Sequence, residues 1–526
     1  MKNLLSYMVL LAGISITFGC KKSAPSIEED TQIQPPQKVE VYNSDLEENV
    51  IKDSVFYYTK LFSLWQDYMP PKDLKDLNKP DLIRNNYTQY FKRGEHVLDW
   101  MLSLTPKNDQ TGQPIDRYSY LDREGLISDE VQDAIPTRFG IEVFYLMTEE
   151  SDPNADLYIR MVERNSSAWQ AGLRRGDRIV SINNDTKIDW DSQQPTGFRT
   201  LNTYLNAASL QVVIQKPEGT LLSVTITNSS FVSNPILDAR IISSSGKRIG
   251  YLAFNSFAAI EKPDNGVWVK TAMYYVFEEV LKGLQGIDEM VVDLRYNGGG
   301  AVITAEYLAD WFVPSARNQE LMYTSTMNGY FQREGWTRPG GEFGPVYFNK
   351  RGSIELKRIY FLVSKSTASA SELLMNVMKP HMEVIMIGTN AVDASEKIVK
   401  ENTYGKPVGF WELPIVNYPK NPHKNVSLYP ASFKTYNKLG EGDYFNGMVP
   451  TTHVWEYNEL FDFGDPRETM LRAAITHMHS GSFVMPSTRS GGFLRKNKAM
   501  DERIQQHSNT RGRMFKFNNG TLRLKE

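Results

Sequence analysis

A serine hydroxyl at the junction of a strand and a helix is the feature of this sequence best suited to chemistry. The stretch from Ile359 to Glu372 reads IYFLVSKSTASASE, an apolar run followed by small and polar residues, before helical spacing begins. Ser369 would lie beside unpaired helix N–H groups, which can stabilise an anion forming on a substrate carbonyl. Because Ser369 and Glu372 also fit a capping box, this stretch alone favours a structural cap over a nucleophile.

A glycine run follows another predicted strand. Residues 291–300 read VVDLRYNGGG, and consecutive glycines expose backbone N–H groups with no side chain in the way. Such a loop can form an oxyanion hole or an anion nest, although tight turns and phosphate loops use glycine runs too. No lysine and Ser/Thr follow in Walker order, which disfavours a nucleotide site. We expect Asp293 and Arg295 to form a structural ion pair that holds the loop.

Alternating strands and helices must position both loops. From Gly246 onward, short apolar runs alternate with helical spacing, including a helix predicted at Val267 to Leu281 and a strand at Glu289 to Leu294. Such repeats need parallel pairing with right-handed crossovers, and catalytic loops then lie at the carboxyl ends of the strands. The predicted fold class is therefore α/β, preceded by a small helical region from Leu46 to Leu104.

The composition limits the classes of function. The 526 residues exceed one ordinary core, so two to four domains are expected. With 41% apolar residues, 23% charged residues and a net charge of −3, bulk charge suggests neither nucleic acid nor an anionic surface as a partner. The seven histidines show no metal-ligand pattern and there is one cysteine, so we expect no metal and no other cofactor.

The N-terminus has the features of an export signal. Lys2 precedes an apolar run from Leu4 to Phe18 that is too short to span a bilayer as a stable helix. Residues 17–20, TFGC, resemble a bacterial lipobox with cleavage before a lipidated Cys20, although Thr17 stands where leucine is usual. An uncleaved anchor or an ordinary signal is the alternative. We therefore expect a membrane-anchored lipoprotein of the bacterial cell envelope, facing the periplasm or the surface.

A segment of short strands resembles a PDZ domain. Residues 171–183 read AGLRRGDRIVSIN, and a glycine loop at 138–140 enters a predicted strand. The resemblance implies that a peptide C-terminus adds as a strand beside Ile141, with its carboxylate captured by the amides around Phe139 and Gly140. The alternative is a PDZ-shaped spacer with a blocked groove.

Three ordered motifs together resemble the C-terminal (tail-specific) processing serine peptidases. They are DLRYNGGG at 293–300, STASASE at 366–372 and NTYGKP at 402–407. The resemblance covers roughly residues 46–475, with the PDZ-like unit inserted. It implies a crotonase-like or ClpP-like α/β peptidase core with an N-terminal helical domain.

The resemblance also assigns roles to four residues. Ser369 matches the nucleophile and Lys406 the general base, while the amides of Ala370 and Gly299 would hold the oxyanion. A neutral lysine amine can activate a serine, provided that burial lowers its pKa from the ordinary value of ~10.4. The expected function is a lipid-anchored serine endopeptidase that cleaves envelope or exported proteins, with the PDZ-like unit recognising chain ends. The rival is a catalytically inactive peptide-binding lipoprotein, and another acyl-transferring enzyme on this scaffold is a weaker third.

Two departures from the family pattern concern the base. Lys406 lies 37 residues after Ser369, because residues 391–402 are inserted where relatives usually turn directly toward their lysine. Phe410 stands where many relatives have an orienting glutamine. Ser366 and Ser371 are rival nucleophiles that position in the chain alone does not exclude. The insertion also contains Lys397 and Lys400, which could be mistaken for the base.

Changes in composition divide the chain. The predicted segments are a signal peptide at 1–19, a flexible tether at 20–45, a helical domain at 46–133, a PDZ-like domain at 134–232, a serine peptidase core at 233–478 and a basic flexible tail at 479–526. From residue 489 onward the net charge is +7, for which a solvated tail is the default interpretation.

Overall fold

A computed structural model provides the structure of the chain. It describes residues 46–123, 137–147, 154–231, 234–264, 266–392, 398–417, 425–483 and 513–516. The predicted signal peptide, the lipidation site Cys20 and the tether lie outside the described residues. No helix in these described ranges is both long enough and apolar enough to cross a membrane.

The N-terminal region is helical, as predicted. It contains α1 (Leu46–Phe62), α2 (Pro80–Asn86) and α3 (Gly94–Ser103). Ile51 and Val55 lie one turn apart on α1 and are buried together with Val97 and Met101 of α3, so the apolar faces of both helices enter the core. A Cβ on Gly94 would come within 2.8 Å of Ile51 Cγ2, so a side chain at that position would push the two helices apart.

A β-rich unit follows. Its elements in chain order, with a preceding short strand, are β1 (Tyr120–Asp122), β2 (Thr137–Arg138), β3 (Ile141–Leu146), β4 (Asp156–Val162), α4 (Ser167–Gln170), β5 (Arg178–Ile182), α5 (Trp190–Gln193), α6 (Arg199–Leu205), β6 (Ser209–Gln215), β7 (Leu221–Thr227) and β8 (Ser229–Ser230). Strands β3 to β7 form an antiparallel sheet in that order, with β3 at one edge. The unit has a core of its own that includes Val143, Ile159 and Ile214.

The remaining elements build the main body. They are β9 (Ile236–Ser244), β10 (Lys247–Phe254), β11 (Glu261–Asp264), β12 (Val267–Lys270), α7 (Ala272–Gly283), β13 (Glu289–Asp293), β14 (Gly299–Ala301), α8 (Val302–Phe312), β15 (Leu321–Thr326), α9 (Gly329–Arg333), β16 (Val346–Tyr347), β17 (Arg358–Val363), α10 (Ala370–Met378), β18 (Glu383–Val392), β19 (Ile398–Lys400), β20 (Val408–Trp411), β21 (Leu413–Asn417), β22 (Asn425–Tyr429), β23 (Ala431–Asn437), β24 (Thr452–Val454), α11 (Thr469–Ser480) and β25 (Arg513–Lys516).

The main sheet has the strand order β19-β18-β17-β13-β10-β9, and β24 also pairs with β18. Strands β10, β13, β17 and β18 run parallel to their neighbours in this group. The predicted α/β class is therefore confirmed. Because β13 and β17 are adjacent and parallel, the loops that leave Asp293 and Val363 begin side by side at the same edge of the sheet.

One predicted helix begins later than expected. We predicted a helix from Val267 to Leu281, but Val267–Lys270 form β12 of a hairpin with β11, and α7 begins at Ala272. Thr271 is the N-cap, and its hydroxyl accepts the N–H of Met273. The alternation of Val267 to Lys270 fits a strand, and a capping threonine separates it from the helical pattern.

A second sheet contains a strand from the predicted tail. Its order is β14-β25-β20-β23-β15-β16. The structure thus differs from the predicted flexible tail at Arg513–Lys516, which pair with β14 and β20. A segment this short has no period of its own to detect, and backbone hydrogen bonds to both neighbours stabilise it as a strand.

Candidate active site

Ser369 occupies a strained position between β17 and α10. Its φ is +65° and its ψ is −115°, a backbone conformation that non-glycine residues rarely adopt. The side chain is fully buried, and within the described residues its hydroxyl oxygen has no hydrogen-bond partner. Buried polar groups are nearly always hydrogen-bonded, and strain of this kind clusters at functional sites. Ser369 and Glu372 have the predicted capping-box arrangement, in which Glu372 accepts the Ser369 N–H, but the Ser369 hydroxyl itself makes no capping hydrogen bond.

A buried carboxylate, Glu372, joins the serine to the lysine motif. One oxygen, Oε2, accepts the backbone N–H of Ser369 at 2.9 Å and that of Lys406 at 2.8 Å. The other, Oε1, accepts the N–H of Gly405 at 2.8 Å and the hydroxyl of Thr403. The backbone nitrogens of Ser369 and Lys406 therefore lie within two hydrogen-bond lengths of each other. Burial raises the pKa of Glu372, and the four donors oppose that rise.

Lys406 is held in an aromatic environment. Only 2% of its surface is exposed, and its Nζ lies 3.9 Å from the centre of the Phe410 ring and 5.9 Å from that of Tyr118. The Tyr118 hydroxyl donates to the carbonyl of Gly405 at 2.6 Å, which fixes the peptide just before the lysine. Phe410 thus presents a ring face to the amine where many relatives would present a glutamine amide.

The glycine loop lies against the serine. Gly299 has a φ of +110°, and a Cβ placed on it would come within 2.7 Å of Ser369 Cβ and 3.0 Å of Ala370 N. Only glycine therefore allows this contact. In this structure the Gly299 N–H donates to Asn297 Oδ1 at 2.9 Å, so the amide that we predicted as an oxyanion donor is engaged within the loop.

Asn297 connects the two loops and was missed in the sequence. Its side-chain oxygen accepts from both the Gly299 N–H and the Ser371 hydroxyl, the latter at 3.1 Å. Its carbonyl accepts the N–H of Ala368 at 3.2 Å. The rival nucleophile Ser371 is thereby committed to a structural hydrogen bond. A buried asparagine after a strand leaves no periodic signal, so only the packed structure reveals this role.

The rival serine Ser366 and the rival lysines lie in different surroundings. Ser366 is partly exposed, and Lys400 is exposed on β19 in the inserted hairpin. Lys397 lies outside the described residues. The structure thus brings together Ser369, Ala370, Gly299 and the Lys406 segment. The described part of the insertion includes the end of β18 and β19, which pair antiparallel.

The predicted ion pair of the glycine loop is confirmed. The Arg295 guanidinium contacts Asp293 at 2.6 Å and Glu468 at 2.7 Å, and all three side chains are almost fully buried. Arg175 of the β-rich unit donates to Glu456 at 3.1 Å and to the Tyr296 hydroxyl at 2.9 Å. This cluster therefore joins the loop that follows β13 to the β-rich unit.

The residues predicted to bind a peptide terminus lie together at the start of β3 in the β-rich unit. Phe139 is buried, Gly140 has a φ of +76°, and Ile141 begins β3 at the edge of its sheet. A Cβ on Gly140 would lie 2.1 Å from Ser166 Cβ, so glycine is required here too. Among the described residues, no group of three or more His, Cys, Asp or Glu could hold a metal ion.

Comparisons with known proteins agree with this architecture. Residues 248–405 match the family model described as Peptidase family S41, and residues 158–191 match that of the PDZ domain. No curated protein sequence matches the chain significantly.

One solved structure shows a similar fold over most of the chain. A Bacteroides fragilis protein classed with the S41 proteases superposes with a TM-score of 0.60 at 22% identity, covering 82% of this chain and 97% of that chain. A photosystem II D1 C-terminal processing protease gives a TM-score of 0.40 at 15% identity, covering 78% and 93%. The chain thus contains a region that matches the S41 peptidase family and a region that matches the PDZ domain, and its overall fold is similar to that of an S41 protease structure.

Proposed function

We propose that the chain is a serine endopeptidase of the C-terminal processing type, with Ser369 as nucleophile and Lys406 as general base. The observation that carries the proposal is the Glu372 carboxylate, which binds the backbone N–H groups of both residues inside a fully buried site. This contact supports a single catalytic unit, although the two residues are far apart in the chain.

The proposed reaction is acyl transfer in two stages. The Ser369 oxygen attacks the scissile carbonyl while the neutral Lys406 amine takes its proton, and the protonated amine then gives that proton to the leaving nitrogen as the C–N bond breaks. In the second stage a water attacks the acyl-enzyme while Lys406 takes a proton from it; the bond between the acyl carbon and Ser369 Oγ then breaks, the amine returns the proton to that oxygen, and the acid is released. This role requires a neutral amine, and Lys406 is buried, with 2% of its surface exposed.

Two backbone donors would stabilise the oxyanion. Ala370 is the first residue of α10, where N–H groups have no helical acceptor, and Gly299 lies beside it. The Gly299 N–H exchanges its bond to Asn297 Oδ1 for the oxyanion when substrate binds. Loss of one such donor typically lowers turnover by ~10²–10³-fold.

The proposal extends to the address and the substrate. The resemblance of residues 17–20 to a lipobox supports a lipid anchor at Cys20 and a place in the cell envelope. The PDZ domain supports recognition of peptide or protein C-termini through the segment Phe139 to Ile141, at the open edge of β3.

A fluorophosphonate label and a peptide-cleavage assay test the dyad. Ser369→Ala should abolish labelling, and Ser369→Ala and Lys406→Ala should each lower turnover by about 10³-fold or more. Ser366→Ala and Lys400→Ala are the matched controls and should retain full activity. Turnover that survives both Ser369→Ala and Lys406→Ala would refute the assignment.

One observation favours a second candidate, a peptide-binding protein without catalysis. The Gly299 N–H is already engaged by Asn297, so an oxyanion hole is not preformed in this structure. This candidate predicts peptide binding with neither labelling nor turnover at any pH, which the same two assays measure.

A further inference from the structure

The strand Arg513–Lys516 fills a gap between two strands that border the candidate active site. It runs parallel to β14 on one side, with Arg513 opposite Gly299 and Phe515 opposite Ala301. On its other side it runs parallel to β20, with Phe515 opposite Phe410. In the described sheet β14 and β20 do not pair with each other, so Arg513–Lys516 are their only link.

The neighbours of this strand are the residues that contact the proposed dyad. Gly299, opposite Arg513, is the residue packed against Ser369. Phe410, opposite Phe515, is the residue whose ring covers the Lys406 amine at 3.9 Å. The backbone of Arg513–Lys516 therefore lies between Gly299, which packs against Ser369, and Phe410, which covers the Lys406 amine.

The gap has the dimensions and chemistry of a peptide slot. Because adjacent strands lie about 4.8 Å apart, the edges of β14 and β20 are separated by about one strand's width. Both edges present backbone N–H and C=O groups, which an extended peptide can satisfy whatever its sequence. At Gly300 a Cβ would lie 2.4 Å from the carbonyl oxygen of Phe257, so this wall of the slot must be bare backbone.

We propose that the slot between Gly299–Ala301 and Val408–Trp411 binds substrate as an extended strand parallel to both edges. In this chain Arg513–Lys516 occupy that slot as an internal competitor. The inference rests on the proposed peptidase function and adds the way in which the substrate backbone is bound. It also gives the C-terminal segment a role: it holds the site closed to substrates until it is displaced or removed.

Tethering makes this competition effective. A segment of the same chain competes at an effective concentration of up to about millimolar, whereas a substrate must reach the slot from solution. Removing the segment should therefore raise the apparent affinity for peptides without changing the chemical step. The effect should not depend on protein concentration, since the competitor belongs to the same molecule.

The inference is tested with two truncated chains that differ only in whether they contain β25. A chain ending at residue 512 lacks β25, whereas a chain ending at 516 retains it and controls for loss of the last residues. We expect kcat/KM for a peptide substrate to be at least tenfold higher for the chain ending at 512, mainly through KM. In the full chain, Met514→Pro removes a backbone donor and should reproduce this gain, whereas Met514→Ala should not.

A binding measurement separates this inference from the proposed function. In the Ser369→Ala background, a fluorescein-labelled peptide of residues 509–520 should bind the chain ending at 512 at least tenfold more tightly than the chain ending at 516. If the peptide binds in this way but no form that retains Ser369 shows turnover, the slot proposal is upheld and the proposed peptidase function is refuted. The slot proposal would be overturned if the two truncated chains bound the peptide equally well, or if neither bound it. Equal turnover by the two truncated chains that retain Ser369 would also overturn it.

Discussion

Two buried carboxylates flank the glycine loop, and they differ in what surrounds them. Asp293 contacts the Arg295 guanidinium through both oxygens, at 2.6 and 3.0 Å. Burial alone would raise the pKa of Asp293, but the guanidinium charge holds that pKa below its ordinary value. Glu372 has four donors but no guanidinium in contact, and burial raises its pKa. A formal charge in contact outweighs several neutral hydrogen bonds.

A third carboxylate extends the comparison. Asp310 on α8 is 8% exposed, accepts the N–H of Asn349 at 2.8 Å, and has Arg351 only at 3.8 Å. Burial raises the pKa of Asp310 to about 7 against these two partners. The series indicates that Asp293 stays ionised and holds Arg295 in the buried cluster, whereas Glu372 accepts backbone N–H groups of the candidate site.

Removing the guanidinium charge that pairs with Asp293 should have the largest effect on stability. Arg295→Met would leave Asp293, Glu456 and Glu468 buried without their common partner, and we expect the free energy of unfolding to fall by about 3–5 kcal/mol. Urea denaturation measures this change. Arg467→Met breaks an exposed pair with Asp465 and should lower the free energy of unfolding far less, because exposed ion pairs contribute little. Equal losses in the two variants would contradict the comparison.

Substituting Glu372 should lower the turnover number more than it weakens substrate binding. Glu372→Gln replaces one acceptor oxygen by a donor, so part of the contact with Ser369, Lys406 or Gly405 is lost. We expect kcat to fall about 10²-fold, by analogy with the loss of one oriented donor, with a smaller change in KM. Glu441→Gln, at an exposed carboxylate, should leave both parameters unchanged. A lower melting temperature with unaltered kcat would show that Glu372 is only structural.

The smallest expected change concerns Asp310 and depends on pH. Because its folded pKa of about 7 exceeds the unfolded value, the native state keeps a proton that the unfolded chain has lost, and wild-type stability falls as pH rises toward 7. Asp310→Asn removes this pH-dependent loss. The free energy of unfolding of the variant, relative to that of the wild type, should therefore rise by roughly 2–3 kcal/mol as the pH goes from 5 to 8. Melting temperatures across this range measure the gain. A difference in stability that does not vary with pH would refute the shifted pKa.

The local parts of the site could be predicted from the sequence. The strand, serine and helix around Ser369, the glycine loop and the Asp293–Arg295 pair each depend on residues close together in the chain, where periodicity and turn chemistry are informative. The same reasoning placed the start of α7 too early, because Val267–Lys270 are apolar enough to fit either pattern until β11 pairs with them.

The sequence by itself determined the α/β class, the positions of the two loops and the identity of the motif residues. Only the tertiary structure decided that one oxygen of Glu372 joins Ser369 to Lys406, that Asn297 engages the Gly299 amide, and that Arg513–Lys516 enter the second sheet. The Asn297–Gly299 bond lies within one loop, whereas Glu372 and Arg513–Lys516 join segments far apart in the chain through single hydrogen bonds or a four-residue strand. Such contacts leave no period in the sequence, because their stability comes from the packed neighbours.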